Sequence, residues 1–195
     1  IPSYVQSASP KILFVSDREN SKDIWTMKFD GQESKNLTKT RKTNEETPTA
    51  SPGGIRMTFS SDGGENKARW IYIMPLDGKG KRRNITEGAG ETNPVWSPTG
   101  TEIAYTALAG NSLSIYILSV WNWEPKINVK AIEMVEPVNI TGPPSTDTHP
   151  AWSPDGTKIA FSSNRDGDLE IHTMDVVLDD PDADNPPGLL QLTKN

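Results

Sequence analysis

The strongest constraint on the fold of this chain is a segment that recurs four times along its 195 residues. Each copy opens with a turn related to Ser-Pro-x-Gly, in which proline fixes one backbone angle and glycine accepts conformations that other residues avoid. The copies of this turn lie in residues 8–11, 47–54, 93–100 and 149–156, and the first copy is the most degenerate. Each copy closes on a hydrophobic residue followed by threonine, at Thr38, Thr86, Thr141 and Thr193, about fifty residues apart.

Two short runs of β-forming residues lie between the turn and the closing pair of every copy. The first runs are residues 12–16, 57–61, 103–106 and 159–163, and the second runs are residues 24–27, 71–74, 115–118 and 171–174. No window has the periodicity of a helix. Each copy therefore predicts four short strands, in units over residues 1–38, 39–86, 87–141 and 142–195.

Four strands at this period are typical of a β-propeller blade. The motifs Pro-x-Trp-Ser-Pro-Asp-Gly, Ile-Ala-Phe-Ser-Ser, Ile-x-x-Met-Asp and Leu-Thr follow one another in residues 150–193. This order closely resembles the TolB-type (WD-like) β-propeller repeat. The sequence therefore predicts an all-β protein, a β-propeller with four blades of four antiparallel strands. The alternative fold is an unrelated β-sandwich with repeated turns.

The number of blades leaves the arrangement of the ring open. A blade is apolar on both faces and needs a neighbour on each side, and TolB-type members usually have six or more blades. Four arrangements remain: a closed four-bladed monomer, two copies that complete an eight-bladed ring, a head-to-tail contact that grows into a filament, or an excerpt of a longer chain. Exposed faces on the first and last blades would be association surfaces, which predicts a protein partner or a homo-oligomer.

Composition excludes several classes of function. The net charge is −6 with no basic tract, which argues against nucleic-acid binding. Hydrophobic residues make up 33 % of the chain, and no apolar run is long enough for a membrane span. The chain has no cysteine, so disulfides and thiolate chemistry are ruled out.

The residues that could carry catalysis have structural explanations in the repeat. There is no Gly-x-Ser-x-Gly motif, and Ser153 belongs to the recurring turn. The two histidines, His149 and His172, occupy repeat positions and are predicted to be blade residues. The sequence therefore predicts a protein without enzymatic activity.

Two candidate sites lie outside the repeat motifs. Trp121 and Trp123 occur in an insertion of the third unit that is predicted to form a hairpin, and tryptophan is favoured at binding hot spots. The alternative is that both rings cover a small core of the insertion itself. Asp180, Asp182 and Asp184 alternate as in a calcium-binding loop, which makes calcium the candidate cofactor. A solvated acidic loop is the alternative and is favoured.

Three units carry an N-glycosylation sequon before the closing threonine, at Asn36, Asn84 and Asn139. The outermost strand of a blade is exposed, so these asparagines are expected to be accessible. The alternative is that the repeat simply has a polar residue at this position.

The resemblance to TolB-type propellers implies a periplasmic, secreted or cell-surface location. It favours a module for protein–protein interaction or self-assembly, although a propeller fold does not by itself define a function. Two alternatives stay open: a propeller that binds a ligand such as a glycan, and the propeller portion of a larger enzyme such as a hydrolase.

Overall fold

The computed structural model describes residues 11–63, 67–88, 90–120, 136–178 and 186–194. The strands are β1 (Lys11–Ser16), β2 (Asp23–Lys28), β3 (Lys35–Asn36), β4 (Glu45–Ala50), β5 (Arg56–Ser61), β6 (Trp70–Pro75), β7 (Arg83–Asn84), β8 (Thr92–Trp96), β9 (Glu102–Ala109), β10 (Ser112–Ser119), β11 (Val138–Asn139), β12 (Asp147–Trp152), β13 (Lys158–Ser163), β14 (Glu170–Asp175) and β15 (Leu190–Gln191).

These strands form four antiparallel sheets in chain order. Sheet 1 contains β1–β3, sheet 2 contains β4–β7, sheet 3 contains β8–β11 and sheet 4 contains β12–β15. Within the described residues sheet 1 has three strands and the other sheets have four each. The predicted all-β class with four antiparallel units is confirmed, and each sheet lies inside one of the four predicted ranges.

The recurring turn has the same hydrogen bonds in sheets 2, 3 and 4. In sheet 4 the Gly156 amide donates to the Ser153 carbonyl at 2.9 Å, and Gly156 has a φ of 74°, which glycine adopts without strain. The Lys158 amide donates to Ser153 Oγ at 2.9 Å, so the hydroxyl is engaged within the turn. The equivalent turns pair Gly54 with Ser51 and Gly100 with Ser97.

The pKa of Asp155 reports on the hydrogen bonds of this turn. Ser153 Oγ donates to Asp155 Oδ1 at 2.6 Å, and the Thr157 amide donates to the same oxygen at 3.0 Å. These bonds favour the carboxylate and lower the pKa of Asp155 from 3.8 to about 2. A lowered pKa stabilises the fold above the usual value near 3.8, and that contribution is lost as the pH falls through about 2.

We expect Ser153→Ala to raise the pKa of Asp155 toward its ordinary value, because the strongest of these donors is removed. The pKa is read from the carboxyl carbon of Asp155 by NMR titration. Ser112→Ala, on sheet 3, is the control and should leave the titration unchanged. An unchanged midpoint in the Ser153 variant would show that the hydroxyl does not set this pKa.

The closing threonines have one structural role in all four sheets. In sheet 2, Thr86 Oγ1 accepts a hydrogen bond from the Ile71 amide at 2.9 Å. The equivalent bonds join Thr38 to Ile24 at 3.0 Å, Thr141 to Ile115 at 2.9 Å and Thr193 to Ile171 at 2.9 Å. The closing strand has only two residues, and beyond it the threonine hydroxyl accepts the next amide in place of a backbone carbonyl. This explains why threonine recurs there.

The opening strands of sheets 2 to 4 share a bulge. Thr47, Asn93 and His149 have φ values of 50°, 53° and 55°, and the pairing register shifts at each of them. Proline follows each of these residues and has no amide hydrogen to give to a neighbouring strand. The bulge accommodates that missing donor. It also explains the exposed position of His149 on the opening strand of sheet 4.

Successive sheets pack face to face and bury the core between them. At the first junction, Ile24 and Leu37 of sheet 1 pack with Met57 and Phe59 of sheet 2. The next two junctions repeat this arrangement, with Ile71 and Ile85 against Ile103 and Tyr105, and Ile115 and Ile140 against Ile159 and Phe161. The opening strands β4, β8 and β12 contact one another in order, so they lie on the inner side of the stack.

The stack does not close on itself within the described residues. No described strand of sheet 1 contacts a described strand of sheet 4. Sheets 2 and 3 therefore have a neighbour on both faces, whereas the two end sheets each have one neighbour. No helix in the described part of the chain is long and apolar enough to cross a membrane.

Candidate interaction site

The outer face of sheet 4 exposes residues that are core elsewhere in the chain. Ile171 is 40 % exposed and Leu192 is 55 % exposed. Their equivalents in sheet 2, Ile71 and Ile85, are 0 % and 3 % exposed because sheet 3 covers them. Leu190 and Leu169 are also exposed near this face. Together Leu169, Ile171, Leu190 and Leu192 form an apolar surface, which we call the sheet 4 end face.

The outer face of sheet 1 likewise has no neighbouring sheet among the described residues. Ile12 and Phe14 are half-buried, whereas the equivalent Met57 and Phe59 are completely buried under sheet 1. We call Ile12, Phe14 and the adjoining Met27 the sheet 1 end face. Inside the chain, every junction joins a face of the sheet 4 type to a face of the sheet 1 type. The two end faces are therefore of complementary kinds.

A buried acidic residue lies at the start of the opening strand in sheets 2, 3 and 4: it is the first residue of β4 and of β12, and it directly precedes β8. Glu45, Glu91 and Asp147 occupy this position and are 0 %, 2 % and 0 % exposed. Each precedes the bulge and proline of its strand by the same number of residues. A buried carboxylate needs hydrogen bonds or a cation to offset the lost hydration. This series was not among the residues predicted from the sequence, although an alignment of units 2 to 4 shows it directly.

In sheets 2 and 4 an arginine satisfies the buried carboxylate. Arg82 Nη1 lies 2.8 Å from Glu45 Oε1, and its guanidinium carbon lies 4.9 Å from the centre of the Tyr72 ring. Arg165 Nη2 lies 3.2 Å from Asp147 Oδ2, and its guanidinium carbon lies 5.4 Å from the Phe161 ring centre. Each junction thus combines an ion pair with a cation–π contact.

Sheet 3 has the acid and the aromatic rings without the arginine. Tyr105 and Tyr116 stack at 5.9 Å between ring centres, in the position of the Phe59–Tyr72 pair. No Lys or Arg in the described part of the chain contacts Glu91 or stacks on either ring. A cavity of about 410 Å³ lies there, lined by Glu91 and both tyrosines.

Within the part of the chain that the structure describes, hydrogen bonds alone satisfy Glu91. Its carboxylate accepts from Thr86 Oγ1 and, at 2.9 Å, from the Gly88 amide. Burial nevertheless outweighs these bonds and raises the pKa of Glu91 above its ordinary value. The cavity therefore contains a carboxylate whose charge has no neighbouring cation among the described residues.

Several predicted site residues lie outside the described residues. These are Trp121 and Trp123 of the insertion, and Asp180, Asp182 and Asp184 of the acidic segment. The interaction role of the tryptophans and the calcium role of the aspartates stay predictions. Within the described residues, no group of three or more acidic or histidine side chains could hold a metal ion.

The sequon asparagines differ in exposure. Asn36 is buried, and its Nδ2 donates to Asp23 Oδ2 and to Glu19 Oε2, both at 2.8 Å. The expectation of an accessible asparagine is therefore wrong for Asn36, because its amide belongs to a buried network. Asn84 and Asn139 are partly buried. Glycosylation of the three asparagines stays a prediction.

His172 lies inside the junction between sheets 3 and 4. It is 1 % exposed, stacks on Phe161 at 6.0 Å, and its Nε2 lies 3.1 Å from Asp166 Oδ2. It occupies the ring position that Tyr72 and Tyr116 hold in sheets 2 and 3.

Comparison with known proteins identifies the repeat. A TolB homologue from Chlorobium luteolum is 30 % identical over 165 residues, covering 85 % of this chain and 34 % of the relative. The structure of a putative TolB from Agrobacterium tumefaciens matches with a TM-score of 0.70 at 20 % identity, covering 93 % of this chain and 60 % of that one. The chain is built from TolB-type β-propeller repeats. Its four sheets are therefore propeller blades, as predicted.

The TolB-type fold also occurs in larger proteins. A puromycin-hydrolysing peptidase from Mycobacterium tuberculosis matches with a TM-score of 0.67 at 14 % identity, covering 95 % of this chain but 30 % of the peptidase. At this identity the match shows the fold alone. The chain spans about a third of the length of the TolB homologue. No protein-family model matches the chain.

Proposed function

We propose that this TolB-type propeller is a non-enzymatic, extracytoplasmic module that binds other proteins and associates with itself. The exposed apolar end face of sheet 4 carries this proposal. Ile171 and Leu192 stay exposed at positions that every other sheet buries beneath its neighbour. Contiguous exposed apolar residues are typical of association surfaces. The extracytoplasmic location rests on the resemblance to TolB-type proteins and is tested by cell fractionation.

The occupant that fits the sheet 4 end face best is the sheet 1 end face of a second copy. The three junctions inside the chain join these two types of face through apolar residues at the same repeat positions, and both end faces carry apolar residues at those positions. Such a contact is head-to-tail, so it yields a closed ring when the rotation closes and a filament when it does not.

Light scattering after size exclusion tests this association. We expect the mass to exceed that of one 21.4 kDa chain and to rise with protein concentration. The double variant Ile171→Asp/Leu192→Asp should return the mass to one chain, because it places two charges in the contact. Ile55→Asp is the matched control, since Ile55 is 61 % exposed in the turn between β4 and β5 of the internal sheet 2. A single-chain mass at every concentration would refute self-association.

A second candidate is the propeller portion of a larger hydrolase. The structural match to a peptidase that is much longer than this chain favours it. Labelling with a fluorophosphonate probe separates the proposals. The probe is added to the full-length gene product, because the catalytic serine of a larger hydrolase would lie outside its propeller portion. A labelled serine would support the hydrolase, and the absence of label would support the non-enzymatic module.

A further inference from the structure

The geometry points to a guanidinium-binding site at the junction of sheets 2 and 3, where the cavity beside Glu91 takes an arginine side chain from a protein partner. This inference deepens the proposed function, since it rests on a protein partner and names the chemistry that the partner supplies. It uses a site distinct from the two end faces.

Two other junctions of the chain contain a guanidinium beside the buried acid. They lie on either side of this one, although Arg82 reaches the acid from the segment before β7 and Arg165 from the segment after β13. Arg82 pairs with Glu45 and stacks on Tyr72, and Arg165 pairs with Asp147 and stacks on Phe161. The chain thus contains two examples of the complex that the proposed site would form.

Sheet 3 has no arginine at the position that Arg165 holds in sheet 4. Arg165 follows the end of β13 by two residues, and Arg18 follows the end of β1 by two residues and lies 4.5 Å from the Trp25 ring centre. Aligning β9 with β13 places Ala109 at the position of Arg165. Alanine provides neither charge nor length. The cavity of about 410 Å³ is lined by Ala107 and Leu108, which precede Ala109 in the same strand.

The third argument is the charge of the cavity wall. Glu87, Glu91 and Glu136 line the cavity, and none of the described lining residues is Lys or Arg. Glu91 is the buried member of this set, and its carboxylate accepts two hydrogen bonds but contacts no cation among the described residues. The Tyr105 and Tyr116 rings complete the wall. A carboxylate beside aromatic rings suits a planar cation, because guanidinium stacks on a ring and donates in its own plane.

Leu108 and Tyr116 provide the entrance for a side chain. Leu108 is 46 % exposed and Tyr116 is half-buried, and both line the cavity. We place the entry of the ligand beside these two residues, because Glu91 itself is only 2 % exposed. An arginine side chain is long enough to leave its own backbone at the surface, so a partner protein can contribute it.

Titration with N-acetyl-arginine amide tests the site on the 195-residue chain. Its isostere N-acetyl-citrulline amide has the same shape and no charge. We expect the arginine probe to shift the NMR resonance of the Gly88 amide, which bonds Glu91 Oε1. The citrulline probe should bind at least about ten-fold more weakly, because it lacks the charge-assisted hydrogen bonds. Equal binding of the two probes, or no binding of the arginine probe, would overturn the proposal.

Two variants locate the binding at Glu91. Glu91→Gln should weaken the arginine probe by at least about ten-fold, since the ion pair is lost. Glu33→Gln, at an exposed carboxylate of sheet 1, is the matched control and should bind as the parent chain does. Unchanged affinity in the Glu91 variant would exclude this cavity as the site.

A third variant fills the cavity from within. Ala109→Arg places a guanidinium on the same side of β9 as Tyr105, because alternate residues of a strand share a face. We expect it to abolish probe binding, whereas Ala109→Gln, of similar length and uncharged, should retain most of it. The self-association measured by light scattering is independent of this result. If the protein has the mass of one chain and still binds the arginine probe, self-association is refuted and this site is retained.

Discussion

Ile71→Ala is expected to destabilise the chain by about 2–5 kcal/mol, because truncating a fully buried isoleucine loses apolar contacts and leaves a cavity. Ile71 is 0 % exposed between sheets 2 and 3. The same change at Ile171 should cost under about 1 kcal/mol in a single chain, since surface substitutions have small effects. The free energy of unfolding is measured by urea denaturation with circular dichroism.

This pair of variants compares one residue type at one repeat position in two environments. Both isoleucines donate their amide to a closing threonine at 2.9 Å, so the backbone is matched. A cost for Ile171→Ala equal to that for Ile71→Ala would mean that the sheet 4 end face is covered in solution. That outcome at a single-chain mass would contradict the open stack described above.

Arg165→Ala is expected to cost about 3–5 kcal/mol, because it leaves the buried Asp147 without its cation. Asp147 is 0 % exposed and Arg165 also stacks on Phe161. The double variant Arg165→Ala/Asp147→Asn should recover part of this loss, since the uncompensated charge is removed with its partner. Thermal and urea unfolding at pH 7 measure the difference.

An exposed ion pair provides the control for this prediction. Lys22 pairs with Glu46, and their side chains are 50 % and 28 % exposed. Lys22→Ala should change the free energy of unfolding by about 1 kcal/mol or less, because solvent already screens the pair. A loss of similar size in the Arg165 and Lys22 variants would show that burial does not set the importance of the Asp147 pair.

The sequence determined the local structure of this protein because each repeat specifies its own turns and strands. The Ser-Pro-Asp-Gly turn at Ser153 and the ladder-ending threonine at Thr193 act on neighbours within one unit. Interactions between residues that are close in sequence can be predicted from the sequence, and four copies of these motifs indicate a propeller. The sequence also shows that every unit has apolar residues at the same positions of the repeat.

The sequence left the candidate sites undecided because they depend on what lies next to each unit. Ile71 and Ile171 have the same place in the repeat, yet one is core and the other is surface because sheet 3 covers Ile71, whereas no described sheet covers Ile171. Glu91 resembles Glu45 and Asp147 in sequence, but only the packing shows that no cation of the described residues contacts it, whereas arginines contact the other two. Local order determined the blades, and only the packing of blade on blade decided which faces and charges stay unmatched.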